Sequence, residues 1–106
     1  MNAFEISEVL EQHRQAGKSY LEFLRVPALS LGLYVLPAGG TDPQQPHAEA
    51  EIYYVLGGRG SIVVGEERRS IQPGSTIFVA AGVEHRFYDI TEELQLLVFF
   101  APAESS

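Results

Sequence analysis

Short apolar segments that alternate with glycine- and proline-containing turns constrain this chain more than any other feature. After Tyr20, eight segments are rich in β-branched, aromatic or leucine side chains, and turn-forming residues separate them. This pattern is typical of an antiparallel sandwich or barrel and argues against β-α-β units. The predicted strands are residues 20–26, 29–36, 52–56, 61–64, 68–71, 76–79, 84–90 and 94–100.

The residues before Tyr20 follow a helical pattern instead. Apolar side chains recur at helical spacing ahead of Gly17, and Ser7 is a good N-cap, so we predict one short amphipathic helix over residues 7–16. A chain of 106 residues, 45% of them hydrophobic, suits a single domain. The expected organisation is a helical segment at 1–19, a barrel at 20–102 and a disordered polar tail at 103–106.

Charge and cysteine content exclude several classes of function. With no cysteine, the chain has neither a disulfide nor a thiolate, so any metal ion must be held by nitrogen and oxygen donors. The net charge of −7 disfavours binding to nucleic acid or to an anionic membrane surface. The N-terminal residues lack the apolar stretch of a secretory signal, and no window approaches a membrane span, so we expect a cytoplasmic protein.

Several predicted strands are apolar on both faces. Leu96 and Val98 alternate with Leu97 and Phe99, so one face can line the interior while the other needs a cover. We expect a homodimer to provide that cover, and the alternative is the N-terminal helix of the same chain.

Chemistry-bearing side chains cluster before and within the third predicted strand. If the strand pattern extends back, Gln45, His47, Glu49 and Glu51 project from one face. Burying these carboxylates beside the apolar run at 52–56 without a cation would cost several kcal/mol. A divalent metal ion removes that difficulty.

A further donor comes from a separate strand, in which His85 shares a face with Phe87 and Asp89. The intervening hairpin strands can wind around a barrel and bring His85 to His47 and Glu51. Two histidines and one carboxylate make a facial set that leaves open positions for water, an anionic substrate or dioxygen.

These residues resemble the two metal-binding motifs of the cupin superfamily. The first motif is matched by Gly40, His47, Glu51 and the glycine pair at 57–58. The second motif is matched by the residues Gly65, Pro73, Gly74, His85 and Asp89, with Asp89 in place of the usual asparagine. The match covers about residues 29–100.

The resemblance implies a small all-β jelly-roll (double-stranded β-helix) barrel in which His47, Glu51 and His85 hold a divalent metal ion. Gln45 stands where the family usually has a histidine. The fourth position therefore stays open between the amide oxygen of Gln45, the carboxylate of Glu49 and water. The donor set accepts Mn, Fe, Ni, Cu or Zn.

Other residues receive smaller roles. Aromatic side chains on the interior face would wall the metal pocket, and the candidates are Tyr53, Phe87 and Phe99. We expect His13 to lie on the surface of the helix, and Asp89 to form a turn or to pair with an arginine. The candidate partners of Asp89 are Arg68 and Arg86. We also expect Arg68 and Arg69 to lie at a solvated hairpin edge.

The resemblance implies a class of site and no single reaction, since cupins of this shape include dioxygenases, isomerases and decarboxylases. The leading hypothesis is a metal-dependent enzyme, dioxygenase-like, acting on a small oxygen-rich molecule with Glu49 as a possible base. The alternatives are a non-catalytic module that binds metal or a small molecule, and a barrel in which metal is only structural.

Overall fold

The computed structural model describes residues 1–43 and 46–105, and within them the chain forms one helix and six strands. All strand pairs are antiparallel and follow the order β1-β2-β6-β3-β4, with β5 also paired to β3. The predicted all-β jelly-roll barrel with a short N-terminal helix is confirmed. The elements are α1 (Ile6–Ala16), β1 (Tyr20–Val26), β2 (Leu29–Leu36), β3 (Ala50–Val64), β4 (Glu67–Ile71), β5 (Thr76–Val79) and β6 (His85–Ala101).

Two pairs of predicted strands are single, bent strands. The glycines between 57 and 60 were expected to form a turn, but β3 runs through them with register shifts against β6. Gly58 has φ 92°, and a Cβ there would collide with the carbonyl of Glu93. Glycine therefore permits a close approach and a bend without ending the strand. The predicted turn at 91–93 is likewise part of β6.

The helix begins one residue earlier than predicted. Glu5 has extended backbone angles and occupies the N-cap position without a side-chain capping bond, so Ser7 lies inside the first turn. The helix ends at Gly17, which has the left-handed conformation that glycine adopts easily. None of the described helical residues forms a segment long and apolar enough to span a membrane.

Inward-facing side chains from five of the strands fill the barrel. The most deeply buried include Tyr53, Val55 and Leu96, each 0% exposed, and Phe87 at 1%. The helix packs outside the barrel on β1 and β2, where Val9 is buried. The helix thus covers part of the outer surface at β1 and β2, a different part from the face of β6 for which a cover was predicted.

The outer surface of β3, β5 and β6 keeps an exposed apolar strip. Ile52 pairs in the ladder with Phe78 on one side and Phe99 on the other, and these three side chains are 40%, 64% and 37% exposed. Tyr54, 39% exposed, lies two residues further along β3 on the same face. The helix contacts β1 and β2, and this strip is left to solvent.

Candidate metal centre

Three donor residues meet inside the barrel from three parts of the chain. Glu51 is the second residue of β3 and His85 is the first residue of β6, whereas His47 precedes β3. His85 pairs in the ladder with Val64, at the opposite end of β3, so it approaches Glu51 across the interior. The backbone carbonyl of His47 accepts a 2.7 Å hydrogen bond from Gly82, which ties His47 to the turn before β6.

The donor atoms of these three residues face one another. One ligating atom from each of His47, Glu51 and His85 lies within 4.8 Å of the others. Oε1 of Glu51 is 2.7 Å from Nε2 of His85 and 4.0 Å from Nε2 of His47. The side chains of Glu51 and His85 are fully buried, and that of His47 is 22% exposed.

Hydrogen bonds orient the ring of His85. Its Nδ1 lies 2.9 Å from the carbonyl oxygen of Val83, which can only accept, so Nδ1 carries a proton. In the neutral ring Nε2 therefore has a lone pair, and the hydroxyl of Tyr53, 3.0 Å away, can donate to it. That lone pair also faces the carboxylate of Glu51, an arrangement that is favourable only with a proton or a metal ion between them.

Burial lowers the pKa of His85, but opposing contacts outweigh burial. The contact with Glu51, the Val83 carbonyl and the charges of Glu51 and Asp42 together raise the pKa above its ordinary value of 6.5. Without metal, the site therefore favours a protonated His85.

The residues present fit a divalent metal ion. Both carboxylate oxygens of Glu51 are buried, and with a neutral His85 neither has a hydrogen-bond donor among the described residues. A buried carboxylate without donors is costly, and a cation compensates it. Two imidazoles and one carboxylate are donors that transition metals accept.

A cavity of about 150 Å³ adjoins the donor residues. Its wall is mainly aromatic, and His47 and Tyr53 belong both to the wall and to the metal centre. The complete lining is Tyr20, Tyr34, His47, Tyr53, Val98, Phe100 and Glu104. A space of this size holds a molecule no larger than a single small ring.

Tyr20 contributes a polar atom to this aromatic wall. Its hydroxyl is buried and has no hydrogen-bond partner among the described residues. Burial raises the pKa of Tyr20 well above its ordinary value, so the hydroxyl keeps its proton and can donate. The ring lies against Gly32, where a Cβ would collide with it, so glycine at that position makes room for Tyr20.

Asp42 is a buried acid that the sequence did not single out. Its two oxygens accept hydrogen bonds from the hydroxyl of Tyr34 at 2.7 Å and from the backbone of Phe87 at 2.9 Å. Asp42 thereby holds one wall of the cavity against β6. Only its position between two turn residues, Gly40 and Pro43, could have drawn attention to it.

Glu49 does not occupy the role predicted for it. Its Oε2 accepts hydrogen bonds from the hydroxyl and the backbone nitrogen of Ser105, at 2.7 and 3.2 Å, and it is not among the three grouped donors. The hydrogen bond from Ser105 lowers the pKa of Glu49 against the opposing effect of burial, so the carboxylate stays charged. The expected row of donors fails because β3 begins only at Ala50, and Glu49, although buried like Glu51, bonds to Ser105 in the segment after β6.

The segment after β6 differs from the disordered tail that we expected. Backbone groups of Glu104 bond to the hydroxyl of Ser30 at 2.9 Å and to the guanidinium of Arg25 at 2.5 Å. This brings the Glu104 carboxylate to 3.5 Å from Nδ1 of His47. No sequence motif marks Glu104. Residue 106 lies outside the described residues.

The remaining site predictions have mixed outcomes. Phe99 is wrong as a pocket wall: it points to the outer surface because Val98 and Phe100 take the interior positions of β6. Phe87 is interior but packs behind Tyr53, with ring centroids 4.9 Å apart. Gln45 lies outside the described residues.

Three surface predictions also have structural outcomes. Asp89 does not share the interior face with His85, because its φ of 47° reverses the alternation and Ile90 points inward instead. Arg68 and Arg86 both lie over the ring of Tyr88, at 5.3 and 5.4 Å from its centroid. His13 lies outside the barrel, with Nε2 at 2.9 Å from the carbonyl oxygen of Ser19.

The fold and this donor set define a class of protein. Residues 32–101 match the cupin domain family, and the chain belongs to that family. Cupins commonly bind divalent metal ions, and this chain has a His-His-Glu group that could hold one. The chain is 46% identical over 105 residues to the uncharacterized protein SCO3923 of Streptomyces coelicolor, covering 99% of this chain and 100% of that protein.

Two solved structures extend the comparison. The TT1209 protein of Thermus thermophilus superposes with a TM-score of 0.76 at 25% identity, covering 97% of this chain and 99% of that one. The DMSP lyase DddQ of Ruegeria pomeroyi gives a TM-score of 0.67 at 26% identity. That match covers 72% of this chain but only 39% of the lyase.

Proposed function

We propose that this cupin is a metal-dependent enzyme, dioxygenase-like, that acts on a small oxygen-rich molecule at a site formed by His47, Glu51 and His85. The observation that carries the proposal is the fully buried carboxylate of Glu51, which faces the Nε2 atoms of both histidines and has no donor among the described residues when His85 is neutral. A divalent transition metal ion, of Fe, Mn, Ni, Cu or Zn type, satisfies all three side chains together.

The cavity supports a small ligand that carries oxygen. At about 150 Å³ it limits the ligand to roughly the size of one ring. Aromatic side chains provide most of the contact area, and the buried hydroxyl of Tyr20 offers a hydrogen bond that a ligand oxygen would accept. An unpaired hydroxyl of this kind favours ligands that can accept over purely apolar ones.

Each residue of the site has a role in this proposal. The bound metal would supply Lewis-acid or redox chemistry to an oxygen atom of the substrate or to dioxygen. Tyr20 orients the substrate by its hydroxyl, and Phe100 and Val98 exclude water from the cavity. Tyr53 is hydrogen-bonded to His85 and lines the cavity, so it links the substrate space to the metal ligands.

Metal content tests the donor set. Protein purified without added metal is measured by elemental analysis, together with His47→Ala, Glu51→Ala and the control His13→Ala. His13→Ala removes an imidazole from the helix, outside the barrel and away from the three donor residues. We expect the first two variants to lose the metal and the control to keep it. Metal retained by both site variants would refute the site.

Oxygen consumption tests the reaction class. Iron-loaded protein is offered small diketones, thiols and phenols under air, and we expect uptake with a substrate that fits the cavity. Tyr20→Phe keeps the ring and removes the hydroxyl, so we expect a raised KM in that variant. No uptake with any of these compounds would reject the dioxygenase reaction, and binding without turnover would favour a non-catalytic binding module.

We also propose that the chain forms a homodimer through its outer apolar strip. Ile52, Phe78 and Phe99 are adjacent across three strands and exposed, and an exposed apolar strip of this kind marks an interaction surface. Analytical ultracentrifugation of Phe78→Glu and of the wild type provides the test. A monomeric wild type would reject the dimer.

A further inference from the structure

The segment Pro102 to Ser105, which we call the strap, lies against the candidate metal centre. Its backbone nitrogens donate to the carbonyl of Pro27 and the hydroxyl of Ser30, and its Glu104 carbonyl accepts from Arg25, so the strap is attached to β1, β2 and the turn between them. On its other side, Ser105 donates two hydrogen bonds to Glu49, in the segment that also carries His47. The strap therefore joins the edge of the barrel to the segment that supplies one metal ligand.

The strap places one carboxylate beside His47, next to the ring nitrogen that does not face Glu51. Oε2 of Glu104 is 3.5 Å from Nδ1 of His47, whereas Nε2 of His47 faces Glu51. The Glu104 side chain is 24% exposed and lines the same cavity. Glu104 does not belong to the group of atoms that can share one ion, so its position is that of a partner to the ligand.

His85 shows the same arrangement with a different partner. Its Nδ1 donates to the carbonyl of Val83 while its Nε2 faces Glu51. Fixing Nδ1–H in this way sets the tautomer and aims the other nitrogen at the metal. For His47 the strap provides the corresponding acceptor, and a carboxylate partner also strengthens an imidazole as a ligand.

We propose that Glu104 is a positioning residue that accepts the Nδ1 proton of His47 and thereby directs Nε2 of His47 toward the metal. In the structure the two atoms form an ion-pair contact at 3.5 Å, and the proposed role requires them to approach to hydrogen-bond distance. Glu49 serves the same end indirectly, because its bonds to Ser105 hold the strap in place. The inference rests on the proposed metal centre.

Substitutions at Glu104 can be made without releasing the strap. The bonds to Ser30 and Arg25 use the backbone nitrogen and oxygen of residue 104, so they survive a change of side chain. Glu104→Ala removes the acceptor, and Glu104→Gln keeps an acceptor oxygen but removes the charge. Glu66→Ala is the matched control, because it removes an exposed acid from the turn between β3 and β4.

The first measurement is affinity for Co²⁺, obtained by competition with a chromogenic chelator. Loss of a hydrogen-bonding partner behind a ligand weakens metal binding about 10- to 100-fold, and we expect a loss in that range for Glu104→Ala. Glu104→Gln should fall between Glu104→Ala and the wild type, and Glu66→Ala should bind like the wild type.

The second measurement is the tautomer of His47 without metal, read from imidazole ¹⁵N chemical shifts at alkaline pH. We expect the Nδ1–H form in the wild type and a mixture of tautomers in Glu104→Ala, a change that a purely structural role would not produce. Unchanged affinity and tautomer in Glu104→Ala, with weak binding in His47→Ala, would overturn the role of Glu104 alone. Wild-type affinity in His47→Ala would overturn the metal centre itself.

Discussion

The candidate site has two halves that are held in different ways. Glu51 and His85, the ladder half, stand in long paired strands, and their side chains are fully buried. His47 and Glu104, the loop half, lie in segments outside the strands and are 22% and 24% exposed. The ladder half is preorganised by backbone pairing, whereas the loop half depends on individual hydrogen bonds.

This difference teaches which part of the site can respond to a ligand. Moving Glu51 or His85 would break ladder hydrogen bonds and disturb the core, which is closely packed. Moving Glu104 requires only the loss of a few bonds around the strap. We therefore expect metal and substrate to order the loop half and to leave the ladder half unchanged.

The largest expected effect is on stability and comes from the core that packs behind the ladder half. Phe87 is 1% exposed and its ring meets that of Tyr53, so Phe87→Ala leaves a large cavity. We expect the free energy of unfolding to fall by about 3–5 kcal/mol, measured by urea denaturation. Ser105→Ala in the strap should cost only about 1 kcal/mol.

Phe99→Ala is the control for Phe87→Ala, because it removes the same side chain from the outer strip, where it is 37% exposed. We expect a clearly smaller loss than for Phe87→Ala when both are measured on monomeric protein. Equal losses would show that the two faces of β6 do not differ as the structure indicates.

The next effect is stabilisation by metal, which should require both halves. A ligand that binds only the folded state at 100 times its dissociation constant adds about 2.7 kcal/mol to the stability. We expect Co²⁺ to stabilise the wild type by this mechanism, which would be measured as a higher melting temperature. The rise should be much smaller in His47→Ala. A full increase in His47→Ala would mean that the ladder half binds metal alone.

The two halves also differed in how far the sequence could predict them. Glu51 and His85 were placed on the interior by strand alternation and by the order of two motifs, and alternation is a property of paired strands. His47 was found through the motif, but the extension of the strand pattern to Glu49 was wrong because residues 46–49 are not in a strand. The glycines at 57–60 were interpreted as a turn because their bulges depend on the partner strand.

Glu104 could not be predicted for a related reason. Its position depends on hydrogen bonds to Arg25 and Ser30, which are distant in the chain and follow no periodic pattern. A short polar segment of this composition is typical of a disordered tail. Tyr20 was assigned to the first strand, but its role in the cavity requires the ring to lie on Gly32, a contact between strands.

A smaller effect concerns the pH dependence of the metal-free ladder half. The pKa of His85 is raised in the folded protein, so its protonation stabilises the fold below the ordinary value of 6.5. This contribution is lost as the pH rises through the raised pKa, at about 1.4 kcal/mol for each unit of the shift. Urea midpoints measured from pH 6 upward should fall in the wild type and stay level in His85→Gln. An equal fall in both proteins would show that a group other than His85 causes the pH dependence.

The smallest effect comes from Glu49, which holds the strap beside the loop half, and its pH dependence has the opposite sign to that of His85. The hydrogen bond from Ser105 lowers the pKa of Glu49, so its charge stabilises the fold above the ordinary value of 4.5 and this contribution disappears as the pH falls through the lowered pKa. We expect Glu49→Gln to remove about 1 kcal/mol of the loss of stability seen as the pH falls below 4.5. Glu49→Gln should not change the stability profile on the alkaline side. His85→Gln should change the alkaline side and leave the acid side as in the wild type. If Glu49→Gln altered both limbs, the strap and the ladder would titrate as one unit, and the division into two halves would be wrong.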